Sequence, residues 1–343
     1  MSTFIIAEAG VNHNGDPALA KRLVEVAVES GADAVKFQSF SADKLTAKGA
    51  QKAEYQRRAT GSGDQYDMLK ALEMPEQLHA ELADQCASLG IEFMSTAFDE
   101  DSLDLLVGLG IRRIKVPSGE ITNHPFLRFM TAKNLPLIVS TGMANLAEVE
   151  EAIAVIADER RILSLSGELK DIVTILHCTS NYPAAIGDVN LNAMSTMSKV
   201  TGLPVGYSDH TLGTVVSTAA VAMGARVIEK HFTLDKSMPG PDHAASLNPD
   251  ELKMMVREIR VVEAAFGNGV KAPTASEMSV RGLVRRSVTA VRSIPAGSVL
   301  VPADVTLMRP GTGIEPKDMQ SIFGRSTFRD IAAGQMLSWA DLQ

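Results

Sequence analysis

Residues 4–39, FIIAEAGVNHNGDPALAKRLVEVAVESGADAVKFQS, decide the fold class of this chain. An apolar run opens the stretch, and an amphipathic segment follows that begins with Asp16 and Pro17 and stops at Gly31. Asp as a cap, Pro at the first helical position and Gly after the last turn are typical helix boundaries. A second apolar run closes the stretch. It therefore predicts a strand, a helix and a second strand parallel to the first.

The same unit repeats along the chain. Six further apolar runs end in polar or small residues: EFMSTAF (92–98), RIKVPSGE (113–120), PLIVSTG (136–142), IVTILHCTS (172–180), PVGYSDH (204–210) and RVIEKHFT (226–233). Capped helical patterns such as NLAEVEEAIAVIADER and NPDELKMMVREIRVVEAAFG lie between runs. Continuous apolar strands joined by crossovers are typical of a buried parallel sheet. The pattern predicts an α/β fold, a (β/α)8 TIM barrel, whose usual size is about 250 residues. An open doubly wound sheet is the alternative, but no G-x-G-x-x-G follows the first strand.

The composition changes after the last helical pattern. We predict a barrel domain over residues 1–267, a linker rich in Gly, Pro, Ser and Thr over 268–283, and a small β-rich domain over 284–343. A domain of about 60 residues is marginally stable alone, so we expect the last one to dock on a partner.

Composition excludes several classes of partner. The net charge of -8 and the lack of a basic block argue against nucleic acid. Two cysteines make no disulfide framework, which favours the reducing cytoplasm. No apolar window is long enough for a membrane span, and the first residues, MSTFIIAEAG, do not resemble a signal peptide.

Ionisable residues accumulate at the ends of the predicted strands. In a barrel enzyme the chemistry lies at these carboxyl ends. Lys36 and Lys115, with hydroxyl groups and backbone amides nearby, suit an anion that carries phosphate. His210 and His231, with carboxylates nearby, suit a divalent metal.

Each signal also has a structural interpretation. A lone histidine at a strand end is usually a hydrogen-bonded structural residue, and Lys36 can be neutralised by Glu8 or Glu120. Cys178, after IVTIL, is more typical of a buried strand cysteine than of a nucleophile. The polar segment 41–75 is long for a loop on the catalytic face and predicts either a lid or a solvated surface excursion.

Taken together, the motifs are specific. AEAGVNHNGD, GADAVKFQSF, KVPSGEITN, STGM, HCTSNYP, GYSDHTLG, EKHFTLDKSMPGPDH and MRPGTGI occur in this order along the chain. They resemble the bacterial sialic acid synthase family, which makes N-acetylneuraminate, legionaminate and related nonulosonates. The resemblance covers both parts of the chain and implies a barrel followed by an antifreeze-like (SAF) domain. The motif forms are more similar to neuraminate and legionaminate synthases than to pseudaminate synthases.

The resemblance also implies a reaction. Family members condense phosphoenolpyruvate with an open-chain N-acylmannosamine-type sugar and release phosphate by C–O cleavage. A divalent metal, Mn²⁺ or Mg²⁺, polarises the aldehyde, because enolpyruvate is a weak carbon nucleophile. The implied assembly is a domain-swapped homodimer.

By matching motif, the resemblance implies a role for each site residue. His210 and His231 are the metal ligands, and Glu120 and Glu8 are candidates for proton handling. Phosphoenolpyruvate is held by Lys36, Thr96, Lys115, Ser118, Ser140, Ser180 and Ser208. The sugar contacts Gln38, Tyr182 and Asp242 of one subunit and Arg309 of the other. Ser180 departs from some neuraminate synthases, which have Asn at this position. We expect Asp209 to orient His210.

Two alternatives stand beside this hypothesis, and the second of them belongs to another class of function. A related synthase could act on a sugar phosphate such as N-acetylmannosamine 6-phosphate, since segment 41–75 supplies the cations Lys44, Lys48, Lys52, Arg57 and Arg58. A non-catalytic binding protein would use the last domain to bind a ligand or ice, which the many arginines of that domain argue against.

Overall fold

Eight parallel strands organise the first part of the chain in the computed structural model, which describes residues 2–343. The strands are β1 (Phe4–Gly10), β2 (Ala34–Ser39), β3 (Glu92–Ala97), β4 (Ile114–Val116), β5 (Leu137–Ser140), β6 (Val173–Cys178), β7 (Val205–Asp209) and β8 (Val227–His231). They hydrogen-bond in the order β3-β2-β1-β8-β7-β6-β5-β4. Strands β3 and β4, at the two ends of this order, lie against each other. The predicted (β/α)8 barrel is confirmed.

Helices connect the strands. They are α1 (Pro17–Ser30), α2 (Ala42–Leu45), α3 (Glu54–Thr60), α4 (Gln65–Lys70), α5 (Glu76–Leu89), α6 (Glu100–Gly108), α7 (His124–Ala132), α8 (Leu146–Ile162), α9 (Leu169–Ile172), α10 (Asn192–Thr201), α11 (Val215–Ala222) and α12 (Pro249–Ala265). Helices α2 to α4 all lie in the long segment after β2.

The sequence signals at helix ends act as predicted. The Asp16 side chain accepts hydrogen bonds from the first backbone amides of α1, and Gly31 ends that helix in the left-handed region at φ 77°. Helices α8 and α12 begin with capping boxes in which Asn145 and Asn248 exchange hydrogen bonds with a glutamate three residues later. Such caps satisfy amide groups that the helix leaves unpaired.

Two apolar layers hold the barrel together. Apolar side chains such as Ile6, Met94 and Leu176 fill its interior. A larger cluster, which includes Val35, Tyr207 and Ile228, lies between the strands and the helices. Because side chains alternate along a strand, consecutive residues belong to different layers. This alternation decides which strand-end residues face the site.

The chain divides into two compact units, one through Phe266 and the other over Gly267–Gln343. The second unit contains helix α13 (Ala275–Val284) and an antiparallel pair, β9 (Ser287–Ala290) and β10 (Val305–Met308). Its own core includes Val288, Leu300 and Leu337 among its buried side chains.

Two elements differ from the sequence predictions. The run at 113–120 is a strand only over β4, and residues Ser118–Glu120 form a 3-10 turn. The predicted linker at 268–283 contains most of α13, whose Thr274 and Glu277 form a capping box. No helix within residues 2–343 is both long and apolar enough to cross a membrane.

Candidate active site

A cavity of about 430 Å³ opens at the carboxyl ends of the strands. Every strand of the barrel contributes a lining side chain, among them Ser140 from β5, Ser208 from β7 and Glu229 from β8, and the two histidines described below also line the cavity. Barrel enzymes place their chemistry at this end. The convergence of charged groups marks the cavity as the candidate site.

Lys36 lies at the centre of a buried charge network. Its Nζ is 2.5 Å from Glu8 Oε2 and 3.6 Å from Glu229 Oε2, and it donates a hydrogen bond to Thr96 Oγ1 at 2.8 Å. Lys115 Nζ is 3.2 Å from Glu229 Oε1. The expected partner Glu8 is therefore present, whereas Glu120 takes no part. Glu229, which the sequence reasoning did not assign to the site, joins the two lysines.

The two carboxylates of this network have different acidities. Burial, with a smaller contribution from the charge of Glu229, raises the pKa of Glu8 to about 7, although Lys36 opposes the shift. Burial also disfavours ionisation of Glu229, but Lys115 and Lys36 outweigh it and lower the pKa of Glu229 to about 2. Glu229 therefore stays ionised while Glu8 exchanges a proton near neutral pH. With Glu8 protonated, two cations face one anion, an excess that favours an anionic ligand.

Small hydroxyl side chains surround the lysines. Ser208 Oγ donates to Glu229 Oε1 at 3.0 Å, and Ser118 Oγ accepts from the Gly142 backbone amide at 3.0 Å. A Cβ at Gly142 would lie 2.2 Å from Ser180 Oγ, so the STGM turn needs glycine to bring these hydroxyls together. Ser140 Oγ is buried and has no hydrogen-bond partner among residues 2–343. These groups are donors suited to phosphate and carboxylate oxygens.

His210 and His231 meet at the same rim. Their ring centroids are 5.6 Å apart, and the Tyr182 ring lies 4.0 Å from that of His210. His210 Nδ1 donates to the Thr179 carbonyl at 2.8 Å, which leaves Nε2 with its lone pair. Burial, with the nearby His210 and Lys36, lowers the pKa of His231 well below its usual value. The neutral imidazole that results is the form that binds metals.

These two residues fit a divalent metal. His231 Nδ1 is buried without a hydrogen-bond partner in the described chain, and it lies 3.9 Å from Asp242 Oδ2. Residues 2–343 contain no group of three or more His, Cys, Asp or Glu side chains that could hold a metal. Two imidazoles would leave most coordination positions to oxygen atoms of other ligands, as in open catalytic sites.

Cys178 also faces the cavity. It is buried in β6, as the sequence predicted, and its Sγ lies 3.8 Å from His210 Nδ1. Burial would raise the pKa of this thiol, but the contact with His210 lowers it. Burial would likewise lower the pKa of His210, and the contact with Cys178 and the Thr179 carbonyl raise it.

The segment after β2 forms one wall of the cavity. Ala53, Tyr55, Gln56 and Gln65 line it, and the Tyr55 ring lies 5.0 Å from that of Tyr182. The segment also carries five cations, Lys44, Lys48, Lys52, Arg57 and Arg58. None of the five lines the cavity within the described residues. Lys44 contacts Asp99 and Asp101, Lys52 donates to backbone carbonyls, and Arg58 pairs with Glu54.

Comparison with known protein families accounts for the barrel with its charged cavity and for the small second unit. Residues 23–271 match the model of the NeuB family, and residues 285–343 match the SAF domain. The chain belongs to the NeuB family. The predicted resemblance to sialic acid synthases and the predicted SAF domain are therefore confirmed.

Two relatives of this NeuB chain cover nearly its whole length. It is 54% identical to N,N'-diacetyllegionaminic acid synthase of Legionella pneumophila, over 100% of this chain and 95% of that protein. It is 45% identical to the Campylobacter jejuni protein of the same name, over 98% of each chain. A crystal structure of N-acetylneuraminic acid synthetase from Leptospira borgpetersenii, in complex with citrate, aligns with a TM-score of 0.71. That structure is 31% identical and covers 82% of this chain and 90% of its own.

Most residues predicted for the NeuB site line the cavity. They are Glu8, Lys36, Gln38, Thr96, Lys115, Ser118, Ser140, Ser180, Tyr182, Ser208, His210 and His231. Asp242 is buried beside His231. Glu120 does not line the cavity, and its Oε2 accepts a hydrogen bond from Asn123. Arg309 is exposed in the second unit.

One expectation for this NeuB chain is wrong. Asp209 does not contact His210, because neighbouring residues on a strand point to opposite faces. Asp209 instead pairs with Lys230 on the side of the helices. Glu229 could have been found from the same rule, since it stands two residues before His231 on β8 and shares its face.

Proposed function

We propose that this chain is a nonulosonate synthase of the legionaminate type. It condenses phosphoenolpyruvate with the open-chain form of 2,4-diacetamido-2,4,6-trideoxymannose. A bond forms between C3 of phosphoenolpyruvate and the aldehyde carbon, whose oxygen takes a proton. Water adds at C2 and gives up its proton, and the C2–O bond breaks to release phosphate. The two relatives named as legionaminic acid synthases support this choice of sugar.

The buried Lys36–Glu229–Lys115 network is the observation that carries the proposal. The two ammonium groups, with Thr96 and Ser140, hold the phosphate and carboxylate of phosphoenolpyruvate at the cavity floor. Fixed charges in a buried site stabilise developing charge without reorganisation. Glu229, ionised between the lysines, keeps both ammonium groups in place and places negative charge near the cationic centre that develops at C2.

Glu8 is the group best suited to move a proton. A pKa of about 7 lets it accept and return a proton at neutral pH. It lines the cavity, whereas Glu120 does not. We therefore assign the proton of the attacking water to Glu8.

His210 and His231 would hold Mn²⁺ or Mg²⁺. The metal would act as a Lewis acid that polarises the sugar aldehyde. Tyr182, whose ring lies tilted against that of His210, would pack beside the sugar, and Gln38 and Asp242 would supply polar contacts near it. In this proposal the site therefore has two ends, one that binds the anion and one that binds the sugar.

A phosphorylated sugar is disfavoured. Its phosphate would need cations near the sugar end, but none of the five cations of the segment after β2 lines the cavity, and Lys44 and Arg58 pair with carboxylates elsewhere. The neutral diacetamido sugar needs no such group.

One assay tests the proposal. Purified protein with Mn²⁺ is incubated with phosphoenolpyruvate and either the diacetamido sugar, N-acetylmannosamine or its 6-phosphate. Phosphate release and product mass are then measured. We expect the diacetamido sugar to give the highest kcat/KM, no release without a sugar, and loss of activity with EDTA that Mn²⁺ restores. Preference for the 6-phosphate, or no product from any sugar, would contradict the proposal.

A further inference from the structure

A second charge pair lies behind the histidines, outside the cavity. Asp209 Oδ2 and Lys230 Nζ are 2.9 Å apart, and both side chains are almost completely buried, with 0% and 1% exposed. Asp209 also accepts hydrogen bonds from the Thr211 amide at 2.9 Å, the Thr211 hydroxyl at 2.8 Å and the Ser217 hydroxyl at 2.6 Å. Lys230 also donates to the Thr211 carbonyl at 2.5 Å. The pair thus joins β7, β8, the loop after β7 and helix α11.

The pair occupies a defined place in the register of the two strands. Residues Ser208 and Glu229 are cross-strand neighbours that face the cavity, and Asp209 and Lys230 are the next neighbours along the strands. The alternation of side chains turns this next pair toward the helices. It then returns the following residues, His210 and His231, to the cavity side. The charged pair is therefore one peptide bond away from each histidine.

On the cavity side, no hydrogen bond among residues 2–343 joins the two histidines, although the Tyr182 ring lies against both of their rings. His210 Nδ1 is held by the Thr179 carbonyl of the β6 end, and His231 Nδ1 has no hydrogen-bond partner among residues 2–343. Their rings lie 5.6 Å apart, and this separation depends on how the ends of β7 and β8 are fixed. Directional hydrogen bonds fix such a spacing more tightly than apolar contacts, which allow small displacements.

We infer that Asp209 and Lys230 are positioning residues that set the separation of His210 and His231 through the backbone. The inference rests on the proposed metal site. It replaces direct orientation of His210 by Asp209 with a clamp between the two strands. Removing the clamp keeps both imidazoles on the cavity side but lets their separation vary, so a metal that both must reach binds less tightly.

The test measures metal binding without substrates. Free Mn²⁺ is followed by electron paramagnetic resonance during titration, and the Co²⁺-loaded protein is followed by visible absorption. We expect D209N and K230M to weaken Mn²⁺ binding about tenfold and to change the Co²⁺ spectrum, the lower end of the effect of removing groups that orient metal ligands, because this pair acts only through the backbone. S217A removes one hydrogen bond to Asp209, and we expect a smaller shift in the same direction.

The matched control is E92Q. Glu92 forms a two-bond ion pair with Arg113 at the start of β3, at the opposite end of the barrel from the histidines. We expect E92Q to lower the unfolding temperature while leaving the Mn²⁺ Kd and the Co²⁺ spectrum as in the wild type. A purely structural role for Asp209 predicts the same behaviour for D209N.

Each outcome decides between these interpretations. If D209N and K230M fold and keep the wild-type Mn²⁺ Kd and Co²⁺ spectrum, the clamp is wrong, while the proposed metal site stands. If both fail to fold, S217A decides, and wild-type metal binding by S217A counts against the clamp. If the wild type itself binds neither Mn²⁺ nor Co²⁺, the metal site of the proposed function fails and the clamp fails with it.

Discussion

At the scale of single residues, the chemistry depends on two carboxylates that share one lysine. Two negative charges close to Lys36 cannot both ionise freely in a buried site. Glu229 keeps its charge because Lys115 supports it, so Glu8 is left as the group that holds a proton near neutral pH. The position of a second lysine therefore decides which glutamate can take up and release a proton near neutral pH.

The Glu8→Gln substitution tests this assignment. Glutamine keeps the size of the side chain but cannot take a proton, so we expect kcat to fall about 100-fold or more while the KM for phosphoenolpyruvate changes little. Steady-state phosphate release measures both constants. E120Q is the matched control and should keep kcat within about twofold of the wild type. A larger loss of kcat in E120Q than in E8Q would mean that Glu120, and not Glu8, transfers the proton.

His13 makes the stability of the barrel depend on pH. It is completely buried, its Nδ1 accepts the Gly15 amide at 2.9 Å, and burial lowers its pKa from 6.5 to about 4. The unfolded chain takes up a proton at a higher pH than the folded chain does. Stability is therefore full above pH 6.5 and falls as the pH drops toward about 4, by up to about 3 kcal/mol.

Urea unfolding at pH 7.5 and at pH 4.5 measures this contribution. Far-UV circular dichroism is the suitable signal, because the single tryptophan, Trp339, lies in the second unit. We expect H13Q to show a smaller difference between the two pH values than the wild type. H124Q, at the partly exposed start of α7, should keep the wild-type difference. An unchanged difference in H13Q would mean that other groups account for the acid sensitivity.

Sequence reasoning reached many of these residues because the strands were clear. Once a run is a strand, the period of two places Glu8, Lys36 and His210 on the cavity side. The same rule should have turned Asp209 away from His210. The sequence could not predict that Glu229 bridges Lys36 and Lys115, because this contact depends on distances between three strands.

At the scale of elements, α3 is the part of the site that no motif indicated. It brings Tyr55 against Tyr182, and Tyr182 lies against His210, so a row of aromatic rings borders the end of the cavity that we propose for the sugar. The path of a long polar segment is not determined by periodicity, which explains why lid and surface excursion could not be separated. The structure makes the segment a wall of the cavity.

We predict that Tyr55→Ala affects the sugar and not phosphoenolpyruvate. Loss of one aromatic contact of about 1.4 kcal/mol should raise the KM for the sugar about tenfold, with the KM for phosphoenolpyruvate unchanged. Initial rates with each substrate varied in turn give the two values. R58A is the control from the same helix, since Arg58 is exposed and contacts Glu54. Equal increases in both KM values would mean that α3 supports the whole cavity instead.

Element boundaries were predictable where capping residues stand beside a periodic pattern. Helices α1, α8 and α12 begin directly after the residues chosen as caps. Helix α13 was missed although Thr274 and Glu277 form a capping box, because the Gly and Pro around it favour a linker. The helix has no buried residue in the structure, so it lacks the apolar periodicity that the other helices show.

At the scale of the whole molecule, the second unit needs a role. Its small core is consistent with marginal stability alone, and α13 exposes Met278, Val280 and Leu283. Exposed apolar surface of this kind marks an interaction site. We therefore keep the proposal of a domain-swapped homodimer, in which Arg309 of one subunit serves the sugar end of the other.

Mixing two inactive variants tests the swap. R309A and H210A should each be nearly inactive. Co-expressed with separable tags, they form mixed dimers in which one site combines an intact His210 with an intact Arg309. We expect about a quarter of the wild-type activity if association is random. If Arg309 acts within its own subunit, mixing restores nothing, and sedimentation as a monomer would exclude the dimer altogether.

The Asp209–Lys230 pair also limits where recombination between related genes can divide this barrel. Either residue alone would leave an uncompensated buried charge, at a cost of about 3–5 kcal/mol, so the two can change only together. A crossover between β6 and β7 keeps Asp209 and Lys230 together in the recombinant protein, whereas a crossover between β7 and β8 separates them. In chimeras made with a parent that lacks the pair, we therefore expect more folded proteins when the crossover lies between β6 and β7 than when it lies between β7 and β8.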